Sequence, residues 1–188
     1  AYLGLPAARC KVYQKEALVG FSDKHVKNAL TSYGIGPQKT FTAEVKNPYL
    51  ISNRFFWAGF IDGDGSLGEY EQNKGETKFT ISAISGSLKI MEQLKNFIFS
   101  KTNISISIAT VQKKNANHRF ELTGKKAVRV MQLLYAENPY ALTRKIEIAR
   151  RAADRYGAEL DGKPINWETA TGHEHIWSEK NPRVKIQD

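Results

Sequence analysis

Residues 57–65 read Trp-Ala-Gly-Phe-Ile-Asp-Gly-Asp-Gly (WAGFIDGDG), an apolar segment that runs directly into two carboxylates separated by a glycine. Acidic residues at the C-terminal end of a helix oppose the helix dipole, and two neighbouring carboxylates repel each other unless a cation is present. Carboxylate oxygens beside the free carbonyls of a helix end suit Mg²⁺ or Mn²⁺. Because Asp-Gly-Asp-Gly is also common in turns, the pattern alone leaves both a metal site and a plain turn open.

The segment opens a pattern of secondary structure that continues to residue 157. Hydrophobic periodicity predicts helices and strands in the order helix 54–62, strands 66–72 and 78–84, helix 88–98, strands 104–112 and 118–123, and helices 125–135 and 139–156. Asn138 and Pro139 are expected to begin the last helix, and Gly157 to end it. The order αββαββα plus one helix predicts an α+β fold in which helices back a four-stranded antiparallel sheet.

The regions on either side of residues 51–157 carry weaker signals. Residues 21–34 predict a helix with Ser22 as its N-cap and Gly34 as its end, and a shorter helix is expected at residues 11–18. Residues 1–50 are therefore predicted to form a helical N-terminal extension. Such an extension would be either a helix-turn-helix-like arm that contacts DNA or an arm packed on the core.

The last 31 residues, 158–188, are predicted to be a C-terminal tail that packs on the core through Trp167 and Trp177. His173 and His175 in this tail form a weak pattern for zinc, because no further ligands accompany them.

Alternation along the strands separates a buried face of the predicted sheet from an exposed one. Phe79 and Ile81 share the buried face with Ile106 and Phe120. The opposite face carries hydrogen-bond donors and acceptors: Tyr70, Gln72, Lys78, Thr80, Ser82, Ser105, Ser107, Arg119 and Glu121. Such a face suits the reading of base edges in the major groove, although alternation alone is equally typical of an ordinary solvated sheet face.

Charge and composition narrow the class of partner. The net charge is +9 and the isoelectric point is near 9.6, which favours a polyanion such as nucleic acid. The surplus is +4 in residues 1–50 and +7 in residues 51–157, whereas residues 158–188 carry −2. With one cysteine, no internal disulfide and no cysteine-rich zinc site is expected.

Other classes of function lack support in the sequence. No apolar run approaches the roughly 18 residues that a membrane span needs. The glycine-rich patterns of nucleotide-binding proteins and serine hydrolases are missing, so no nucleotide cofactor is expected. The first residues do not have the layout of a secretory signal, and the expected location is intracellular, in the compartment that holds the host genome.

The nonamer, followed at once by a predicted strand, resembles the signature of the LAGLIDADG homing endonucleases, and the resemblance covers residues 52–157. It implies that Asp64 is a metal ligand and that Gly63 supplies a coordinating carbonyl. Asp62 is implied to support the metals or to cap the helix end. The resemblance also implies a lysine near the cleavage centre, for which Lys125 and Lys126 are the candidates.

The resemblance further implies a homodimer, because the chain carries one signature. Two signature helices would pack side by side through Trp57, Ala58, Gly59 and Ile61, with the small residues allowing close approach. The dimer would cut both strands of a long pseudo-palindromic DNA site with Mg²⁺ or Mn²⁺, as in intron homing. Ser66 and Lys74 join the DNA-binding residues named above. An RNA-binding intron maturase and a DNA-binding regulator on the same fold are the alternatives.

Overall fold

The computed structural model describes residues 10–13, 16–19, 24–32, 41–72, 75–111, 116–157, 159–160 and 162–167. The elements within these ranges are β1 (Cys10–Tyr13), β2 (Glu16–Val19), α1 (Lys24–Ser32), α2 (Pro48–Ser52), α3 (Arg54–Asp64), β3 (Gly65–Gln72), β4 (Glu76–Ser85), α4 (Leu88–Thr102), β5 (Ala109–Thr110), β6 (His118–Thr123), α5 (Gly124–Tyr135), α6 (Thr143–Tyr156), β7 (Glu159–Leu160) and β8 (Lys163–Pro164). From α3 onward the order is αββαββα followed by one helix, as predicted. None of the described helices is long and apolar enough to cross a membrane.

The central sheet has the strand order β3-β4-β6-β5, and every neighbouring pair is antiparallel. One face of the sheet packs against the helices through Phe79, Ile81 and Phe120, which are buried together with Met131 of α5 and Ala149 of α6. This arrangement confirms the predicted α+β fold and the predicted buried face of the sheet.

Helix α3, which carries the nonamer, has a defined start and a defined end. The side chain of Asn53 accepts a hydrogen bond from the backbone N–H of Phe55 at the start. At the end, the N–H of Gly65 donates to Ile61 O. A Cβ at residue 65 would lie 2.8 Å from Ser82 O, so glycine lets the chain pass directly from the helix into β3. The helix reaches Asp64, two residues further than predicted, which places both carboxylates in its last turn.

The prediction of a second N-terminal helix at residues 11–18 is wrong, because this segment forms the antiparallel hairpin of β1 and β2. Val12, Tyr13 and Val19 favour extended backbone, and Tyr13 pairs with Glu16 across a two-residue connection. The helix predicted nearby is confirmed as α1. Its predicted cap and end, Ser22 and Gly34, lie outside the described residues.

Two boundaries in the core also differ from prediction. The last helix begins at Thr143, because Asn138 caps a turn instead: its side chain donates to Leu134 O and accepts from the N–H of Tyr140. Of the strand predicted at residues 104–112, only Ala109 and Thr110 pair with β6. The alternation of isoleucines at 104, 106 and 108 therefore reflected burial against the core and not strand pairing.

The C-terminal tail is described only at residues 159–160 and 162–167. Trp167 is 6% exposed and belongs to the hydrophobic core. Trp177, His173 and His175 lie outside the described residues.

Candidate functional site

The two carboxylates of the nonamer have opposite environments. Asp62 turns inward, where its Oδ1 accepts a hydrogen bond from Tyr135 Oη at 3.0 Å and its Oδ2 accepts one from the N–H of Leu142 at 2.9 Å. Asp64 is exposed, and its carboxylate makes no hydrogen bond or ion pair with the rest of the described chain. The Asp62 carboxylate therefore stabilises the fold through its hydrogen bonds, and Asp64 is the carboxylate that an external cation can reach.

Lys145 of α6 closes the C-terminal end of α3. Its side chain is 3% exposed, and its Nζ donates to Ile61 O at 2.5 Å and to Gly65 O at 3.0 Å. The same Nζ lies 3.8 Å from Asp62 Oδ1. A cation at this helix end opposes the negative end of the helix dipole and balances the inward carboxylate. The ammonium therefore holds the helix end immediately before and after Asp64.

Burial shifts the acidity of the groups around Asp62. Burial raises the pKa of Tyr135 well above its usual range, and the negative charge of Asp62 raises it further. The phenol therefore stays protonated and continues to donate to Asp62. Burial lowers the pKa of Lys145, while the Asp62 carboxylate acts in the opposite direction. The three groups form one hydrogen-bonded cluster in which each charge has a partner.

This role of Lys145 was not predicted from the sequence. In the sequence, Lys145 belongs to a basic set on the last helix whose other members, Arg144, Arg150, Arg151 and Arg155, are exposed. Lys145 is instead buried in the same stripe of α6 as Ile146, Ala149, Ala152 and Ala153. Its spacing of four and seven residues from Ala149 and Ala152 was the available signal, because a lysine on an apolar stripe needs a buried partner.

Lys125 and Lys126, the lysines predicted near the catalytic centre, are exposed in the first turn of α5 and make no described contact with Asp62 or Asp64, so this role stays a prediction. Tyr135, which reaches Asp62, is the last residue of α5, whereas Lys125 lies ten residues earlier, about 15 Å along the helix axis. Lys125 lines a cavity with Tyr156 and Gly157, at the end of α6 remote from Lys145. Lys126 follows in the same turn of α5. The order of elements along the sequence did not reveal which end of α5 approaches α3.

The burial of α3 side chains changes the predicted contact surface on this helix. Trp57, Ala58 and Ile61 are 0 to 1% exposed in the core of the single chain, so these three are not available to a partner. Gly59, which was also predicted to lie in the interface, is exposed, and so is Gly63. A Cβ added at either glycine would meet no atom within 4 Å. The accessible face of α3 is thus a glycine stripe flanked by the partly buried Phe56 and Phe60.

The outer face of the sheet presents most of the predicted DNA-binding side chains. Those that are exposed or half-buried on the strands are Ser66, Tyr70, Lys78, Ser82, Arg119 and Glu121; Ser105 and Ser107 are exposed in the segment before β5, outside the paired strands. Arg119 and Glu121 pair with each other at 2.5 Å, so their opposite charges offset each other on this face. Lys74 and the side chain of Gln72 lie outside the described residues.

Thr80 is the predicted DNA-binding residue that the structure removes from solvent, since it is only 9% exposed. A Cβ at Gly68 would meet the Tyr70 ring and would lie 2.7 Å from Thr80 Oγ1. The ring of Tyr70 therefore lies across Gly68, next to the Thr80 hydroxyl. Alternation placed Thr80 on the correct face, but it did not reveal that a neighbouring ring covers it.

The described residues contain no cluster of three or more His, Cys, Asp or Glu side chains that would enclose a metal. A divalent cation at Asp64 would take oxygens from this carboxylate and from the carbonyl of the exposed Gly63. Mg²⁺ requires about six oxygen ligands and keeps several waters. The residues present thus fit an open site that a second chain, waters or a phosphate must complete.

Comparison with known proteins finds no matching family model, and no curated protein matches. Among solved structures, the homing endonuclease I-CvuI in complex with the I-CreI target is 14% identical, covering 69% of this chain and 97% of that one at a TM-score of 0.35. The homing endonuclease I-DmoI is 12% identical, covering 67% of this chain and 94% of that one at a TM-score of 0.31. The LAGLIDADG homing endonuclease I-GzeII, in complex with its DNA target, is 18% identical, covering 72% of this chain and 45% of that one at a TM-score of 0.34.

The family that the nonamer resembles is therefore also the one to which these solved structures belong. At TM-scores of 0.31 to 0.35 these likenesses do not carry a functional conclusion, which rests on the chain's own residues.

Proposed function

We propose that this chain is a site-specific DNA endonuclease that acts as a homodimer and uses Mg²⁺ or Mn²⁺ to cut both strands of a long pseudo-palindromic site. The observation that carries the proposal is the opposite placement of two carboxylates in one helical turn. The Asp62 carboxylate accepts hydrogen bonds from Tyr135 and Leu142. The Asp64 carboxylate has no hydrogen-bond or ion-pair partner within the described part of the chain, and it faces solvent. An unpaired acid at a negative helix end is unfavourable unless a cation binds there.

Asp64 is the proposed catalytic residue and metal ligand, with the carbonyl of Gly63 beside it. A divalent cation held there would supply an activated water and would stabilise the charge that develops on a phosphodiester. Lys145 and Asp62 keep the last turn of α3 in place, so that the Asp64 carboxylate is held at a fixed position relative to the sheet. Asp62 and Lys145 are positioning residues in this scheme.

The homodimer follows from the open face of α3. One chain offers too few oxygens to complete a metal site, and the stripe of Gly59 and Gly63 leaves space in which a second helix can approach closely. A twofold contact along this stripe would bring two Asp64 carboxylates together. The resulting twofold axis accounts for a pseudo-palindromic target and for cleavage of both strands.

Double-stranded DNA would lie on the outer face of the sheet, next to the end of α3. Ser66 follows the Asp64 turn directly in β3 and pairs in register with Ser82 of β4. Base-edge readout would therefore begin within a few residues of the metal site and extend outward along β3 to Tyr70.

Selection from a randomised palindrome library tests the proposed function. The purified chain is incubated with the library in Mg²⁺, in Mn²⁺ and in Ca²⁺, and cleaved sites are recovered by sequencing of new ends. Cleavage of a defined site on both strands in Mg²⁺ or Mn²⁺ is expected. Binding of selected DNA without cleavage in either metal contradicts the endonuclease and favours a DNA-binding regulator, whereas preference for RNA in competition favours a maturase.

Replacing Gly59 by leucine is expected to convert the dimer into a monomer and to abolish double-strand cleavage. The new side chain fits the single chain, because a Cβ at this position meets no atom within 4 Å, but it fills the space that the partner helix needs. Leucine also favours a helix over glycine by somewhat under 1 kcal/mol, so unfolding is not expected. Sedimentation velocity measures the oligomeric state. Arg150→Leu, on an exposed position of α6, serves as the control, and a Gly59→Leu protein that remains a dimer contradicts this interface.

A further inference from the structure

Gly68 lies in the middle of β3, on the outer face of the sheet, where it pairs in register with Thr80 of β4. A glycine inside a strand contributes no side chain to packing, and it often marks a place where another group approaches the backbone closely. The backbone conformation of Gly68 does not require glycine, because its φ lies outside the left-handed range. The space above residue 68 therefore explains the glycine.

The ring of Tyr70 occupies this space. A Cβ at residue 68 would lie 2.7 Å from Tyr70 Cζ and closer still to Tyr70 Cε2, so the hydroxyl-bearing end of the ring lies over Gly68. The same Cβ would lie 2.7 Å from Thr80 Oγ1, which places the ring beside the Thr80 hydroxyl. Tyr70 is 57% exposed, so its phenol remains accessible to a ligand on this face.

This packing moves the functional group of Tyr70 along the sheet, toward the end of β3 that follows Asp64, here called the metal end. Tyr70 itself pairs in register with Lys78 of β4. A strand advances about 3.4 Å per residue, so the phenol lies about 7 Å nearer the metal end than the Tyr70 Cα does. Thr80 is only 9% exposed, and the phenol is therefore the polar group presented at the level of the Gly68–Thr80 pair.

The phenol is suited to reading bases at this level. Its hydroxyl is both a donor and an acceptor, and the ring supplies an apolar edge, as contacts with base edges and thymine methyl groups require. A tyrosine side chain has two torsions, so the position of its hydroxyl depends on what the ring packs against. A side chain at residue 68 would displace the ring, and glycine at this position therefore determines where the phenol lies.

We propose that Gly68 is a positioning residue that directs the Tyr70 phenol toward the metal end, where it reads a base pair about two positions nearer the cleavage centre than Lys78 does. Without this packing, Tyr70 and Lys78 would contact the same level of the DNA, because they are paired in register. The inference rests on the proposed function, since it requires DNA on the outer face of the sheet. Ser66 and Ser82, the next outward-facing pair, lie nearer still to the metal end.

Binding of single-base variants of the selected DNA site tests the proposal on the full chain. An Asp64→Asn background in Ca²⁺ prevents cleavage, and fluorescence anisotropy measures the affinity for each base at every position of the half-site. Tyr70→Ala is compared with Lys78→Gln and with Ser82→Ala, whose residues lie on either side of the phenol along β4. We expect Tyr70→Ala to reduce base discrimination about fivefold at a position between those that the two other variants affect.

Gly68→Ala tests the positioning role without changing Tyr70. The added Cβ displaces the far end of the Tyr70 ring, so a loss of about fivefold is expected at the position that Tyr70→Ala affects. In a Tyr70→Ala background, Gly68→Ala is expected to cause no further loss, because no ring remains to be displaced. Thermal unfolding shows whether Gly68→Ala folds. The comparison of Tyr70→Ala with Lys78→Gln decides the proposal if that variant does not fold.

Failure of this inference differs from failure of the proposed function. If Tyr70→Ala affects the same position as Lys78→Gln, or a folded Gly68→Ala protein keeps its base preferences, the inference is overturned while sequence-specific cleavage stands. If the unmodified chain shows no sequence-specific DNA binding, the proposed function is wrong and the inference is overturned with it.

Discussion

Replacing Asp64 by asparagine is expected to abolish DNA cleavage while leaving DNA binding and the fold intact. The carboxylate is exposed and makes no hydrogen bond or ion pair with the described residues, so the substitution removes a negative charge and little else. Loss of a metal ligand removes several kcal/mol of transition-state stabilisation, which corresponds to at least a hundredfold in rate. Single-turnover cleavage of the selected site and gel-shift binding in Ca²⁺ measure the two effects separately.

Asp62→Asn is the matched control, since it makes the same chemical change two residues away. It removes the charge that faces Lys145 and weakens the bonds from Tyr135 and Leu142, so its main expected effect is on stability. Urea unfolding should show a clear loss for Asp62→Asn and none for Asp64→Asn. If Asp64→Asn cleaves at the normal rate while a folded Asp62→Asn does not, the assignment of the metal ligand is reversed.

Replacing Lys145 by methionine is expected to produce the largest loss of stability among the charged residues. Methionine keeps the apolar stem but removes the Lys145 donor from Gly65 O and one of the two donors from Ile61 O, and it leaves Asp62 without its cation. Removing one partner of a buried ion pair costs about 3 to 5 kcal/mol, because the other charge stays buried and unbalanced. Urea unfolding measures the free energy of unfolding. For the control Arg150→Met, on the exposed side of α6, this free energy should lie within about 0.5 kcal/mol of that of the unmodified chain.

A double variant distinguishes the contribution of the ion pair to stability from the contribution of side-chain packing. Combining Lys145→Met with Asp62→Asn removes both charges, so the double variant should lose less stability than the sum of the two single variants, by about 1 kcal/mol or more. Strict additivity of the two losses would mean that Lys145 and Asp62 do not interact as the 3.8 Å separation indicates.

Several features of the chain were predictable from local pattern. The apolar run ending at Asp62 and Asp64 predicted α3, and alternation predicted that Phe79 and Ile81 face the helices. These features depend on neighbours within a few residues, where helix and strand periodicities act directly. The same reasoning failed at residues 11–18, where a four-residue strand is too short for periodicity to separate it from a helix.

The different environments of the two carboxylates were not predictable from local sequence pattern. Asp62 and Asp64 have the same chemistry and nearly the same neighbours in the sequence, yet one is bound by α5 and α6 and the other faces solvent. Their difference arises because positions two apart on a helix lie about 200° apart around its axis. Which of these directions meets the protein depends on how α3 crosses the other helices.

The residues of this chain determined on their own the order of the elements, the buried face of the sheet and the helix end that carries the acids. Tertiary packing decided that Lys145 rather than Lys125 reaches that end, and that Gly59 and Gly63 rather than Trp57 and Ile61 stay accessible on α3. The reason is distance along the chain: Lys145 and Ile61 are 84 positions apart, and their contact exists only once the helices have packed. Local periodicity specifies which face of an element is apolar, whereas the angle and register at which two elements cross depend on how their side chains fit together.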